Sequence, residues 1–85
     1  MKLLSHKKFE KQYAKLPKAI KGKFLLRLKL FQENQSASVL NIHQLKGDRY
    51  PLLSMNITSD YRALFLMNNE SVTFYEIGTH SELYE

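Results

Sequence analysis

The sequence predicts an α+β fold, with an N-terminal strand and a two-helix hairpin packed on an antiparallel sheet in the order β-α-α-β-β-β. Three observations carry that expectation. The first third of the chain sets apolar residues at helical spacing on a lysine-rich background. The last third alternates apolar and polar residues in short runs separated by polar corners. No helical pattern recurs between those runs, so consecutive strands are antiparallel and the helices cover one face.

Taken in order, Met1 to Leu4 reads as a short edge strand, and Ser5 as the N-cap of a first helix. Phe9, Tyr13 and Leu16 recur at one-face spacing in that helix, with Lys7, Lys8, Lys11 and Lys15 on the other side. Leu16-Pro17 ends it, because the residue before proline is pushed out of the helical region. Pro17 then suits the first turn of a second helix running to Glu33-Asn34. Ile20, Phe24, Leu28 and Phe31, widened by Leu25, form its inner stripe, while Lys18, Lys21, Arg27 and Lys29 face away.

Residues 35–50 read mostly as loop, with Leu40, Ile42 and Leu45 tucked onto the core and Lys46-Gly47-Asp48 as a turn. Pro51 starts the next strand at or near an edge. Leu53, Met55 and Ile57 alternate with Ser54, Asn56 and Thr58, the pattern of a half-buried strand. Tyr61 to Met67 is the most apolar strand, Asn68 to Ser71 a hairpin turn, and Val72 to Ile77 the last strand.

Composition narrows the function. Residues 1–85 make one small domain with little room for a deep pocket. Without cysteine there is no disulfide framework, thiolate nucleophile or cysteine zinc site. Gly22, Gly47 and Gly78 are isolated, which excludes the common phosphate-cradling loops. His6, His43 and His80 lack metal-site spacing, and no serine-hydrolase turn is present. The N-terminus turns polar after Leu4, so the expectation is a cytoplasmic chain with no signal peptide or membrane contact. Residues 1–29 hold ten basic residues against Glu10, a balance suited to a polyanion, an acidic protein partner or a plainly solvated face.

The chemistry-bearing residues cluster in three short stretches. At the start of the apolar strand, alternation sends Asp60 and Arg62 to one face and Tyr61 to the other. Arg62 there suits either a pair with Asp60 or a functional cation. His80 follows the last strand, where an imidazole exchanges protons near neutrality. A histidine merely bonded to a backbone carbonyl fits the same place. His43 suits a loop anchor or a proton carrier, and Tyr84 a core residue or a stacking surface.

Three segments taken together, His43-Gln-Leu-Lys46-Gly47, Ile57-Thr-Ser-Asp-Tyr-Arg-Ala-Leu-Phe65 and Ile77-Gly-Thr-His-Ser-Glu-Leu-Tyr84, resemble the RelE/ParE toxin superfamily of bacterial and archaeal toxin–antitoxin pairs. The N-terminal Ser-x-x-Lys-Phe-x-Lys (residues 5–11) and the Leu16-Pro17 after it are similar as well, so the likeness spans essentially the whole chain. The ending is most similar to the YafQ-type mRNA interferases. The resemblance implies ribosome-dependent cleavage of mRNA, with no metal or small-molecule cofactor, and a cognate antitoxin as partner. It places the loop histidine on His43, the acid–aromatic pair on Asp60 and Tyr61, the strand arginine on Arg62, the near-terminal general acid on His80 and the terminal aromatic on Tyr84. Lys46, beside His43, joins Tyr61 and Tyr84 as an expected substrate contact.

Two departures stand out. A second histidine of the YafQ-type pattern falls on Asn56, and the paired lysines of the RelE-type strand fall near Leu53 and Met55. The alternative is a ParE-like, non-enzymatic toxin directed at DNA gyrase, which shares the fold and needs no sheet-edge histidine.

Overall fold

The computed structural model describes residues 1–84. The chain runs β1 (Lys2–Ser5), α1 (Lys7–Ala14), α2 (Lys18–Glu33), β2 (His43–Gln44), β3 (Leu53–Asn56), β4 (Tyr61–Met67), β5 (Ser71–Thr79) and α3 (His80–Tyr84). Short 3-10 turns at Ser38–Leu40 and Gly47–Arg49 flank β2.

The α+β class holds, and the sheet is mixed rather than wholly antiparallel. Its order is β1-β5-β4-β3-β2. The strands from β2 to β5 pair antiparallel, as short connections require, while β1 lies parallel to β5. Parallel pairing needs a long crossover, and the helical hairpin supplies the first part of it. Two elements lie beyond the sequence reading. The loop over 35–50 contributes the edge strand β2, and the chain end turns back as α3 instead of stopping after Ile77.

The helix-covered face holds the core. Phe9, Phe24, Phe31, Phe65 and Phe74 form a chain of ring contacts linking both helices to β4 and β5, with centroids 5.3 Å apart for Phe24–Phe74 and 5.5 Å for Phe31–Phe65. Such edge-to-face geometry adds to area burial. Leu40 is fully buried and Ile42 packs against the core cluster, as expected, whereas Leu45 is half-buried and lies outside that cluster.

Four local expectations are corrected. His6, not Ser5, is the N-cap of α1, because Ser5 is still paired in β1 and its hydroxyl donates to Glu10 at 2.7 Å. Pro17 is the N-cap of α2 rather than a member of its first turn. Leu25 lies outside the inner stripe and is exposed. Arg27 does not face away: it is half-buried and its Nε donates to the Ile57 carbonyl at 3.2 Å.

Candidate functional site

The site is built where the ends of β4, β5 and β2 meet α3. The corner before β4 is set by Thr58, whose hydroxyl accepts from the amides of Asp60 and Tyr61 at 3.2 and 3.0 Å. Tyr61 and Arg62 then leave on opposite faces. Arg62 turns toward α3, and its Nη1 donates to the carbonyls of Thr58, Ser59 and Tyr61 at 2.8–3.3 Å. The guanidinium is therefore aimed by backbone carbonyls and has no carboxylate partner among the described residues.

A reciprocal capping box launches α3. The Thr79 amide donates to Glu82 Oε1 at 2.8 Å, and the Glu82 amide donates to Thr79 Oγ1 at 3.2 Å. The bond from the Thr79 amide, and after it the Thr79 hydroxyl, hold the Glu82 carboxyl below its usual range. The spacing Thr79-x-x-Glu82 was readable in the sequence and would have announced the helix. His80 becomes its first residue, with its amide donating to the Asp60 carbonyl at 2.9 Å. One turn later Tyr84 brings its ring to 4.5 Å from the His80 ring. Its hydroxyl donates to Ser54 Oγ at 3.2 Å.

The third wall is β2. His43 lies opposite Ser54 in the β2–β3 register. Its Nδ1 sits 2.9 Å from the Asn41 carbonyl oxygen. A carbonyl only accepts, so in the neutral ring Nδ1 carries the hydrogen and Nε2 keeps its lone pair. Asn41 makes this possible from a left-handed conformation, φ 45°, which asparagine tolerates better than most residues.

His43, Arg62, His80 and Tyr84 line one cleft of about 270 Å³ together with Asn41 and Leu45. Arg62 and His80 thus share one surface. Asp60, Tyr61 and Lys46 are not among the lining residues. Asp60 is exposed on the corner and meets the site through its carbonyl. Tyr61 lines a separate hollow on the helix side with Gln12, Lys15 and Leu16. Lys46 is exposed at the start of the Gly47–Arg49 turn.

The departures have structural counterparts. Leu53 and Met55 belong to the core and not to this surface. Asn56 lies opposite Arg62 on the neighbouring strand, and its buried Oδ1 finds no hydrogen bond among the described residues. One set of residues was missed by sequence reasoning. Glu76, buried in β5, pairs with Lys8 at 3.2 Å and with Arg49, while Arg49 also donates to the Leu83 carbonyl. That bridge fastens α3 to the sheet. No helix is long and apolar enough to cross a membrane among the described residues, and they contain no group of potential metal ligands.

No family model matches the sequence, and neither does any curated protein. Solved structures do match. YafQ from E. coli strain BL21(DE3) superposes with a TM-score of 0.83 at 16% identity, over 98% of this chain and 97% of that one. The E. coli DinJ-YafQ toxin–antitoxin complex gives 0.81 at 17% identity, over 98% and 96%. The RelB-RelE antitoxin–toxin complex from Methanococcus jannaschii gives 0.72 at 21% identity, over 95% and 94%. Identities this low speak for the architecture and leave the activity to be argued from the site. The fold is thus the one seen in the YafQ, YoeB/ParE and RelE toxin structures, which this chain resembles along nearly its whole length.

Proposed function

We propose that this chain is the toxin of a type II toxin–antitoxin pair and an mRNA endoribonuclease that acts on the ribosome. The observation that carries the reading is the convergence of two imidazoles, a guanidinium and a phenol ring on one cleft in a fold shared with YafQ. The partner is a cognate antitoxin, in keeping with the complexes formed by YafQ and RelE.

RNA carries its own nucleophile, so the protein's task is proton transfer and charge stabilisation. His43 takes the proton of the 2′-hydroxyl on Nε2, whose lone pair the Asn41 contact leaves available. The 2′-oxygen bonds to phosphorus, Arg62 balances the crowded phosphorane charge, and the 5′-oxygen departs with a proton from His80. The products are a 2′,3′-cyclic phosphate and a 5′-hydroxyl. Tyr84 stacks on the flanking base. The Asp60 carboxylate could also accept this proton, but it is less well suited because its side chain lies outside the cleft.

Positioned proton transfer supplies about 10²–10⁴ in rate. The ribosome then contributes by holding the message in line. The lysine face of α1 and α2 binds ribosomal RNA in a salt-sensitive manner.

The test is translation-coupled cleavage in a cell-free system with 5′-end mapping. Wild type should cut mRNA, with His80→Ala and Arg62→Ala lowering cleavage by about 10²-fold or more. Equal cutting by all three rejects the site. Absence of cutting together with inhibition of DNA gyrase rejects the function in favour of the ParE-like alternative.

A further inference from the structure

The sheet face that carries Arg62 continues well past the cleft. In the β4–β5 register Arg62 lies opposite Gly78, Leu64 opposite Glu76 and Leu66 opposite Thr73, so these pairs share a face. The register slips between Leu64 and Phe65, which leaves Tyr75 as an extra residue in β5. A bulge re-aims the side chain it carries. Tyr75 accordingly joins Leu66 and Thr73 around a second hollow of about 330 Å³, whose rim is the polar Asn68 and Ser71. Its ring is stacked on His6, with centroids 4.1 Å apart and planes 28° apart. His6 is exposed and Tyr75 half-buried, so the stack reaches solvent.

Between the two hollows the face is not bare sheet, since Leu64 and Glu76 are buried, and the surface over them, with the Gly47–Arg49 turn and the exposed Lys8, suits a polyanion. Its acid, Glu76, is answered by both Lys8 and Arg49, so the local balance is positive, and the Lys8 side chain is 65% exposed. From Arg62 to Leu66 the strand advances four residues, about 13 Å. A single strand covers that distance in about two to four nucleotides, according to how far it is stretched beyond the stacked rise of about 3.4 Å.

We infer that the His6–Tyr75 stack and the hollow beside it form a second base-binding platform, which holds single-stranded RNA a few nucleotides away from the cleft. This rests on the reading of the cleft as an RNA site and extends it along the same strand. Aromatic rings accept any base, so the platform adds grip and register without sequence preference.

The test is binding of a single-stranded RNA of about twelve nucleotides, 2′-O-methylated so that it cannot be cut. Wild type, Tyr75→Ala, Tyr75→Phe, His6→Ala and Arg62→Ala are titrated at one salt concentration, with thermal unfolding run on each. Tyr75→Ala should weaken binding by about 5- to 100-fold, and Tyr75→Phe should stay within about twofold. 2-Aminopurine walked along the RNA should report stacking at a position a few nucleotides from the one sensitive to Arg62→Ala. If Tyr75→Ala fails to fold, the exposed His6→Ala decides, with a loss expected. Weakened binding for Arg62→Ala alone overturns the platform and leaves the cleft. Weakened binding for Tyr75→Ala alone keeps the platform and rejects the cleft. No binding by the wild type rejects both.

Discussion

The two faces of the sheet are held by different forces. On the helix side, phenylalanines from α1, α2, β4 and β5 meet in one apolar cluster whose attractions have little direction. On the other side Leu64 and Leu83 are buried as well, but α3 and the Gly47–Arg49 turn are fastened in addition by individual bonds: Arg49 to Glu76 and to the Leu83 carbonyl, Tyr84 to Ser54, Thr79 to Glu82. The first arrangement tolerates small shifts. The second fixes side chains in orientation, which is what acid–base chemistry needs. Stability and aim are therefore separable in this molecule, and substitutions on the two faces should be told apart by what they disturb.

The largest effect should come from Phe65→Ala. Phe65 is fully buried and bridges Phe31 to Phe74. Its truncation should cost about 3–5 kcal/mol in urea unfolding. For a domain of this size that is most of the stability, and every function would be lost with the fold.

Glu76→Ala should cost less, about 2–3 kcal/mol, since it strands the partly covered Arg49 guanidinium. Lys8→Ala should cost under about 1 kcal/mol, because that side chain is 65% exposed. The comparison sharpens if Glu76→Ala also frees α3, seen as faster amide exchange over residues 80–84, while the exchange of β4 barely changes. Equal loosening of both faces would show that they are one cooperative unit and undo the separation argued above.

The helix-covered face was the legible one. Phe9, Phe24 and Phe31 recur at helical spacing, and Met55, Ile57, Ala63 and Phe65 lie on the inward side that alternation assigns. The other face was hidden for identifiable reasons. Ser54 reads as a solvent-side serine by alternation, yet it is fully buried, because a helix from the far end of the chain folds over it. Glu76 is buried too, with Lys8 of α1 and Arg49 on its carboxylate. Tyr75 escapes any period-two count, since the bulge inserts it between Phe74 and Glu76. Within the cleft, the placement of His43, Arg62, His80 and Tyr84 follows the RelE/ParE resemblance. Of their orienting contacts, Ser54 to Tyr84 depends on distant segments meeting in space, while Asn41 to His43 is local and hangs on a left-handed asparagine that alternation does not reveal.

The smallest effect is also the most specific to the aiming face. The Glu82 carboxyl in the folded chain titrates below its ordinary value of 4.5, because the ionised form accepts from the Thr79 amide. A lowered folded value means that the box contributes fully above about 4.5 and is lost as pH falls through the folded value. Acidification should therefore release the Thr79 amide and loosen the first turn of α3, with His80 on it, before the phenylalanine cluster responds. Two-dimensional NMR of the Thr79 and Glu82 amides against pH should show one transition below 4.5 in wild type. Glu82→Gln should abolish that transition, leaving the phenylalanine side-chain signals unchanged. Gly78→Ala gives a steric route to the same state, because a Cβ there would come within 3.0 Å of Glu82 Oε1 and push the carboxylate off the Thr79 amide. If Gly78→Ala frees the Thr79 amide at neutral pH and the His80 ring signals move with it, the box aims His80. If the amide is freed and the His80 signals stay in place, its orientation comes from its bond to Asp60 and from the Tyr84 ring instead.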